Sequence, residues 1–534
     1  MSLPALVVFS VSDSNNEVRY LSFTGPQRQL RCGIEEGVFS DTAKFAVESA
    51  GDGLVHIRSC YDNYYWTRAS RFEPWLLALA PEKVEDMSKE DCTLFRPRMS
   101  AGNVFVGFAH VQSGLNVVMR PATDAHAYHL CVEQAPPTDF SFLNFAPLTR
   151  TKLPRYIMFL GDNNKYLSPS AQRPLALLHF AEFDNPTSRA VGFEVMYTKS
   201  GDLRIKSMSL NEFWDAKPPS RLVVIDTATE SSDPNDPNTL FDVALSSPPN
   251  TREVGMALRC RGYNLYVQRW LRATADCVVA ANTPHLYNAW LRPRHPAIQD
   301  KRRVNIDNFR HAWVGPSSTR RLRERYLTNT TNVERETAVF TETYRENTRI
   351  TLNSSIGFFR GPAAVFNGRM PSVLATGELE IPDEAIDVTA SWGTVRHTWV
   401  DDKKHDYSVK IPPMSAVTLT LFVKIATYEV PFSYQQIDES PFGGTITQDL
   451  YDGVFRIEAE YGIEEQTSIR PFTSSEVVDG KISMEEQDIK YADESVDDEQ
   501  GDIIGPDASE KEANVQDGIG SNAVNQVEQE SQET

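Results

Sequence analysis

The sequence has no run of 18 or more consecutive apolar residues, which excludes a helical membrane span. It has no CxxC pair; its six cysteines stand far apart at 32, 60, 92, 131, 260 and 277. A six-cysteine disulfide framework belongs to small secreted domains, so free, buried thiols are expected, with Cys60 and Cys260 inside strands. Residues 1–9 lack a basic stretch and run directly into an alternating, strand-like pattern. No signal peptide is expected, and the expected location is the cytoplasm or nucleus. The motifs HExxH, Walker A and GxSxG are missing, as is a GxGxxG between a strand and a helix, so neither an enzyme nor a cofactor is expected. His397 and His405 lie near Asp401, Asp402 and Asp406. Without Cys/His spacing for zinc they read as a solvated polar turn rather than a metal site.

What is present is a long chain with ample core-forming residues. Its 534 residues are 40% hydrophobic, enough for three or four domains. Acidity is concentrated at one end: residues 481–534 hold 16 Asp/Glu against 3 Lys, a net −13 of the chain's −20, which leaves −7 on the rest. That segment has one aromatic, Tyr491, and no hydrophobic periodicity. A disordered acidic tail over 474–534 is expected.

Self-comparison shows a tandem duplication. Thr93-Leu94-Phe95 recurs as Thr239-Leu240-Phe241, Ile57-Arg58-Ser59 as Ile205-Lys206-Ser207, and Trp66 as Trp214, all at offsets of 146 to 148. Within the first unit, Arg19-Tyr20-Leu21, Tyr64-Tyr65-Trp66 and Leu115-Asn116-Val117 each follow a polar turn and open a strand. Short strands, regular turns and no long amphipathic helix point to an all-β barrel or sandwich, and three similar lobes fit a β-trefoil. The expected domains are 1–148 and 149–298 for the two units, 299–325 for an arginine-rich linker, and 326–473 for a third domain. The linker arginines are dispersed and accompany no reader motif, so a solvated connector is favoured over nucleic-acid binding.

The stretch Asp52-Gly53-Leu54-Val55-His56-Ile57-Arg58-Ser59, then Tyr61-Asp62-Asn63-Tyr64-Tyr65 and Cys92-Thr93-Leu94-Phe95-Arg96-Pro97, resembles agglutinin domains of the amaranthin lectin family. In the second unit Phe159-Leu160-Gly161-Asp162-Asn163-Asn164-Lys165-Tyr166-Leu167 carries the likeness. The resemblance implies two β-trefoils and recognition of galactose/N-acetylgalactosamine-type glycans. It also implies ligand contacts from the loop after the Tyr-rich strand, here Ala69-Ser70-Arg71-Phe72-Glu73-Pro74-Trp75. Only Ser70 keeps the family's residue; the polar and aromatic pair is replaced by Phe72-Glu73-Pro74. An aromatic face beside fixed donors and acceptors is what a saccharide needs, and Ser70, Arg71, Phe72 and Glu73 are the candidate sugar-binding residues. Trp66 and Trp75 are expected in the core.

Residues 326–472 show long polar alternation, as in Ala416-Val417-Thr418-Leu419-Thr420-Leu421-Phe422-Val423. Ser391-Trp392-Gly393, Ile411-Pro412-Pro413, Val430-Pro431-Phe432-Ser433-Tyr434 and Asp452-Gly453, in that order, resemble the aerolysin-type pore-forming module. That resemblance implies an elongated β-sheet domain, a homo-oligomer, and a pre-stem hairpin that enters a membrane after assembly. Residues 351–378 are the pre-stem candidate, with Phe358, Phe359, Val365 and Phe366 at the tip; the alternative is a surface hairpin whose phenylalanines pack on a neighbouring strand. Two functions follow from the resemblances: a glycan-directed pore former in defence or stress, and a non-lytic lectin or scaffold whose third domain only oligomerises.

Overall fold

The computed structural model describes residues 3–100, 105–134, 142–147, 152–170, 177–180, 188–217, 223–228, 233–246, 256–270, 276–281, 291–294, 302–337, 339–354, 363–393, 396–440, 442–472 and 487–490. Among these the regular structure is strand, with only single-turn 3₁₀ segments besides.

In the first unit, β1 (Leu6–Ser12), β4 (Lys44–Ser49), β5 (Val55–Ser59), β8 (Phe95–Met99), β9 (Phe105–His110) and β12 (Leu143–Pro147) form a closed antiparallel ring. Each pairs with the next, and β12 returns to β1. Three hairpins cap the ring: β2 (Val18–Thr24) with β3 (Gln29–Gly33), β6 (Tyr65–Arg68) with β7 (Leu76–Ala80), and β10 (Asn116–Met119) with β11 (Leu130–Glu133). Six ring strands and three caps make a β-trefoil, and the three tripeptides of the sequence rhythm begin the three caps. Alternation decides what points inward: in β1, Val7 and Phe9 enter the barrel while Val8 faces outward into a satellite cluster.

The second unit repeats the plan. Its ring is β13 (Tyr156–Leu160), β16 (Phe193–Tyr197), β17 (Leu203–Ser207), β20 (Phe241–Ser246), β21 (Met256–Cys260) and β24 (Arg292–Arg294). The caps are β14 (Leu167–Pro169) with β15 (Leu178–Phe180), β18 (Phe213–Lys217) with β19 (Val223–Ala228), and β22 (Leu265–Arg269) with β23 (Val278–Ala281). The bridge Met256–Leu291 and the pairing of β13 with β24 close the ring.

The duplication reaches the packing. Phe9, Phe45 and Phe95 surround Trp66 at ring-centroid distances of 5.7, 5.3 and 6.0 Å. Phe159, Phe193 and Phe241 surround Trp214 at 5.4, 5.3 and 5.8 Å. Both indoles are fully buried. Turn geometry repeats too: Asn16 and Asn164 have φ of 60° and 59°, and Asn63 and Asn211 have 63° and 60°, the left-handed conformation that asparagine tolerates.

The third domain is an elongated sheet in the order β33 (Ile386–Ala390), β30 (Ala364–Gly368), β25 (Arg302–Phe309), β36 (Ser415–Glu439), β37 (Thr445–Pro471), β29 (Phe340–Ser354) and β34 (Arg396–Tyr407). β26 (Trp313–Val314) and β27 (Ser318–Asn329) pair farther along β36. Short ladders join β28 (Arg335–Glu336) to β35 (Lys410–Ile411) and β31 (Ser372–Val373) to β32 (Leu379–Glu380). β36 and β37 pair from Glu439–Thr445 at the turn to Ser415–Pro471. At about 3.3 Å per residue their 25 and 27 residues span roughly 80–90 Å.

A register shift at Val423/Lys424 divides that length. Before it the odd-numbered Val417, Leu419 and Leu421 are buried; after it the even-numbered Ala426, Tyr428, Val430, Phe432 and Tyr434 are. The extra residue at that shift, Gly462, belongs to β37, and β36 runs through it without an insertion. Because successive side chains of a strand face opposite sides, the domain has two separate small cores on opposite faces of β36 rather than one. The larger gathers three of the four motifs singled out above in residues 391–453. Trp392 lies 6.3 Å from Phe432 and 4.9 Å from Tyr434, and Tyr434 donates to Asp452 at 3.1 Å. A Cβ on Gly453 would meet the Phe432 ring at 2.5 Å, so this position has room only for glycine.

Three expectations are corrected. The arginine-rich 299–325 segment is not a connector; Arg302–Phe309 and Ser318–Asn329 are strands of the third sheet. Their arginines meet carboxylates across the sheet: Arg302 pairs with Asp438, Arg320 with Glu460 and Arg323 with Glu342. His405 lies on strand β34 instead of a turn, with Nε2 2.8 Å from Glu465. Within the acidic tail, β38 (Gln487–Lys490) pairs with the Arg323–Tyr326 stretch of β27, because a sheet edge offers unpaired backbone groups to any extended segment.

All six cysteines are free; Cys260 lies in β21, but Cys60 directly follows β5 and is half-buried.

Candidate glycan-binding loop and membrane segment

The Ser70 loop joins the two strands of the middle cap, β6 and β7. It is braced locally: Ser70 Oγ accepts from the Phe72 and Glu73 amides at 3.2 and 3.1 Å, a serine turn that still leaves the hydroxyl proton to donate. The Arg68 guanidinium donates to the Arg71 and Glu73 carbonyls at 2.8 and 3.3 Å. Arg71 pairs with Glu90 at 3.2 Å while its guanidinium lies 4.9 Å from the Phe72 ring centroid. Phe72 itself is 83% exposed. An aromatic face held in solvent by a fixed turn, beside the hydroxyl of Ser70, the guanidinium of Arg71 and the carboxylate of Glu73, has the composition of a shallow saccharide subsite. The structure therefore brings all four sequence-derived residues together on one loop. The corresponding loop of the second unit, 218–222, lies outside the described residues.

Trp66 is in the core, but Trp75 is only half-buried and lies at the surface. Its ring lies 4.7 Å from His126 and 6.0 Å from His129, with the Arg120 guanidinium 5.7 Å away. Sequence reasoning missed these three neighbours because they sit about 50 residues away on the third cap. The only signal for them was the threefold rhythm, which places consecutive caps side by side.

Of the membrane-tip residues, Phe358 and Phe359 lie outside the described residues. Val365 and Phe366 are in the middle of β30, parallel to β25 and antiparallel to β33, rather than at the turn of a hairpin. Phe366 is fully buried with its ring 5.1 Å from Trp392, and Val365 is half-buried. Alternation explains the difference: Ala364, Phe366 and Gly368 form the inward face of a short strand.

The first trefoil docks on the third domain through a polar contact absent from sequence reasoning. Arg58 reaches Glu48 at 2.7 Å and Glu429 at 3.4 Å and lies over the Trp313 ring at 4.6 Å. Asn63 donates to the carbonyls of His311 and Glu429, both at 3.0 Å, and Trp313 Nε1 donates to Tyr65 OH at 2.8 Å. Desolvation raises the Glu48 pKa, but Arg58 and Lys83 outweigh it and hold the carboxyl below its ordinary 4.5. The second trefoil meets the β36–β37 turn, where Phe442 fills the space over Gly192 beside Met208.

Residues 2–119 match the Agglutinin domain. The match falls on the first trefoil and includes the Ser70 loop and the middle cap. No curated protein sequence matches the chain. Among solved structures, a mosquitocidal holotoxin is similar at 11% identity and a TM-score of 0.27, covering 54% of this chain and 33% of its own. The chain thus spans about a third of that toxin's length. The hemolytic lectin CEL-III is similar at 8% identity and a TM-score of 0.29, covering 87% of this chain and 93% of its own. The designed threefold-symmetric protein ThreeFoil is similar at 9% identity and a TM-score of 0.22, covering 27% of this chain and 99% of its own.

Proposed function

We propose that the chain is an amaranthin-like lectin fused to an aerolysin-type module, and that its trefoils target a β-pore-forming sheet to glycan-bearing membranes in defence or stress. The observation that carries this reading is the joining, in one chain, of an agglutinin domain with an exposed, braced aromatic loop to a sheet whose central strands run 25 and 27 residues. Strands of about 9–11 residues suffice to cross a bilayer, and only a closed barrel pairs every backbone group there. The first trefoil binds galactose/N-acetylgalactosamine-type glycans through Ser70, Arg71, Phe72 and Glu73, and the several sites of an assembled oligomer concentrate it on the surface by avidity. Protomers then associate as a homo-oligomer, and each releases residues 351–378 as a hairpin.

The release step carries its own test. Asn367 and Asp387 stand directly opposite one another on β30 and β33, and Asn367 Nδ2 donates to Asp387 at 2.6 Å. The double variant Asn367→Cys, Asp387→Cys staples β30 in place when oxidised. Vesicle leakage is expected to vanish in the oxidised form and return with reductant. Leakage that ignores the staple overturns hairpin release from this segment, and binding with no leakage in either form leaves a lectin whose third domain is a scaffold.

A further inference from the structure

Two register shifts coincide beside the docking contact. β25 departs from β36 between Ile306 and Phe309, and β36 departs from β37 between Phe432 and Tyr434. The bulged residues open a cavity of about 520 Å³ whose walls include Asn305, Asp307, Asn308, Gln435, Asp449 and Tyr451. That volume lies inside the ~300–1,000 Å³ range of ligand sites, and paired bulges re-aim side chains that a regular ladder would alternate away from one another.

The lining selects the chemistry of an occupant. No lysine or arginine lines the cavity, and two carboxylates do, so an anion is disfavoured. Among the described residues no group of three or more His, Cys, Asp or Glu is placed to hold a metal ion. The carboxylates are set against side-chain amides instead: Asn308 Nδ2 donates to Asp307 at 2.7 Å, and Gln435 Nε2 donates to Asp449 at 3.1 Å. Each amide–carboxylate pair presents adjacent donors and acceptors with lone pairs left over, the pattern that vicinal hydroxyls satisfy. Tyr451 adds a ring that is 48% exposed and supplies an apolar face for C–H groups.

We infer that this cavity is a saccharide subsite on the elongated domain, separate from the trefoil loop and built for a neutral polyhydroxylated ring. The inference deepens the saccharide-binding reading but uses none of the residues of the Ser70 loop. The subsite is wired to the docking contact, because Arg310 Nη1 donates both to the Tyr451 carbonyl at 2.9 Å and to the Tyr61 carbonyl of the first trefoil at 3.1 Å. An occupant packed on Tyr451 therefore bears on the same arginine that ties the two domains.

The test is hydrogen exchange on the full chain with N-acetyl-D-galactosamine, D-galactose, D-glucose or calcium chloride added singly, with saturation-transfer titrations of the same sugars. At least one sugar is expected to slow exchange in residues 305–308 and 449–451. Asp449→Ala and Tyr451→Ala are each expected to weaken that binding at least about tenfold, the scale for losing a charged or well-packed contact. Asp449→Asn, which keeps the shape, is expected to fall between; thermal melts of the three variants report their folding. Protection confined to residues 69–75 supports the trefoil site and overturns this one. Protection nowhere, protection by calcium alone, or unchanged affinity in folded variants also overturns it.

Discussion

Arg302 Nε lies 2.6 Å from Asp438 Oδ1, and both side chains are buried where β25 joins β36. Gln436 donates to the same carboxylate at 2.7 Å, so the pair sits in a hydrogen-bonded setting that helps offset its desolvation. A residue that reads in the sequence as part of a basic connector is in fact a structural anchor of the third domain.

Arg302→Ala leaves Asp438 buried without its countercharge and is expected to cost about 3–5 kcal/mol. The double variant Arg302→Met, Asp438→Leu removes both charges and is expected to recover most of that loss. Chemical denaturation of the three proteins checks it.

Trp66→Ala and Trp214→Ala each empty the centre of an equivalent aromatic cluster, and each is expected to cost its own trefoil about 3–5 kcal/mol. The clusters belong to separate barrels, so the two effects add in the double variant. Calorimetry of the singles and the double measures this directly.

Burial holds the imidazoles of His56 and His110 below their ordinary 6.5, against raising hydrogen bonds that include those to Thr93 and Cys92. Between the folded value and 6.5 the unfolded chain binds protons that the folded trefoil does not. Stability is therefore fully present above pH 6.5 and falls as the pH drops below it. The melting temperature of the first trefoil is expected to decline from pH 6.5 downward, with a shallower slope in His110→Gln.

Burial also pushes the thiols of Cys32 and Cys131 up to about 12 and that of Cys60 up to about 11. These three cysteines are expected to resist iodoacetamide at pH 8 in the native chain and to react in denaturant, as mass spectrometry of the alkylated peptides will show.

The repeat architecture was legible because period-2 alternation and turn asparagines are local signals, repeated here twice over. Trp66 and Trp214 announced their shared role by their spacing alone. The third domain was legible as long two-faced strands, but its strands β25 and β27 were not. Arg302, Arg320 and Arg323 look like solvated charge until Asp438, Glu460 and Glu342, 136, 140 and 19 residues away, are brought across the sheet. The Ser70 loop was found because its residues are contiguous. Its neighbour Trp75 was misplaced because what flanks it comes from another cap, and the cavity at Asp307 and Asp449 was invisible because bulges leave no compositional trace.

The most direct measurement of the central proposal is dye release from vesicles with and without galactose/N-acetylgalactosamine glycans, using the full chain, in the presence and absence of the free sugars. The expected result is leakage that requires the displayed glycan and is suppressed by free sugar and by Phe72→Ala. Leakage from glycan-free vesicles at the same protein concentration, or glycan binding without any leakage, contradicts a lectin-targeted pore.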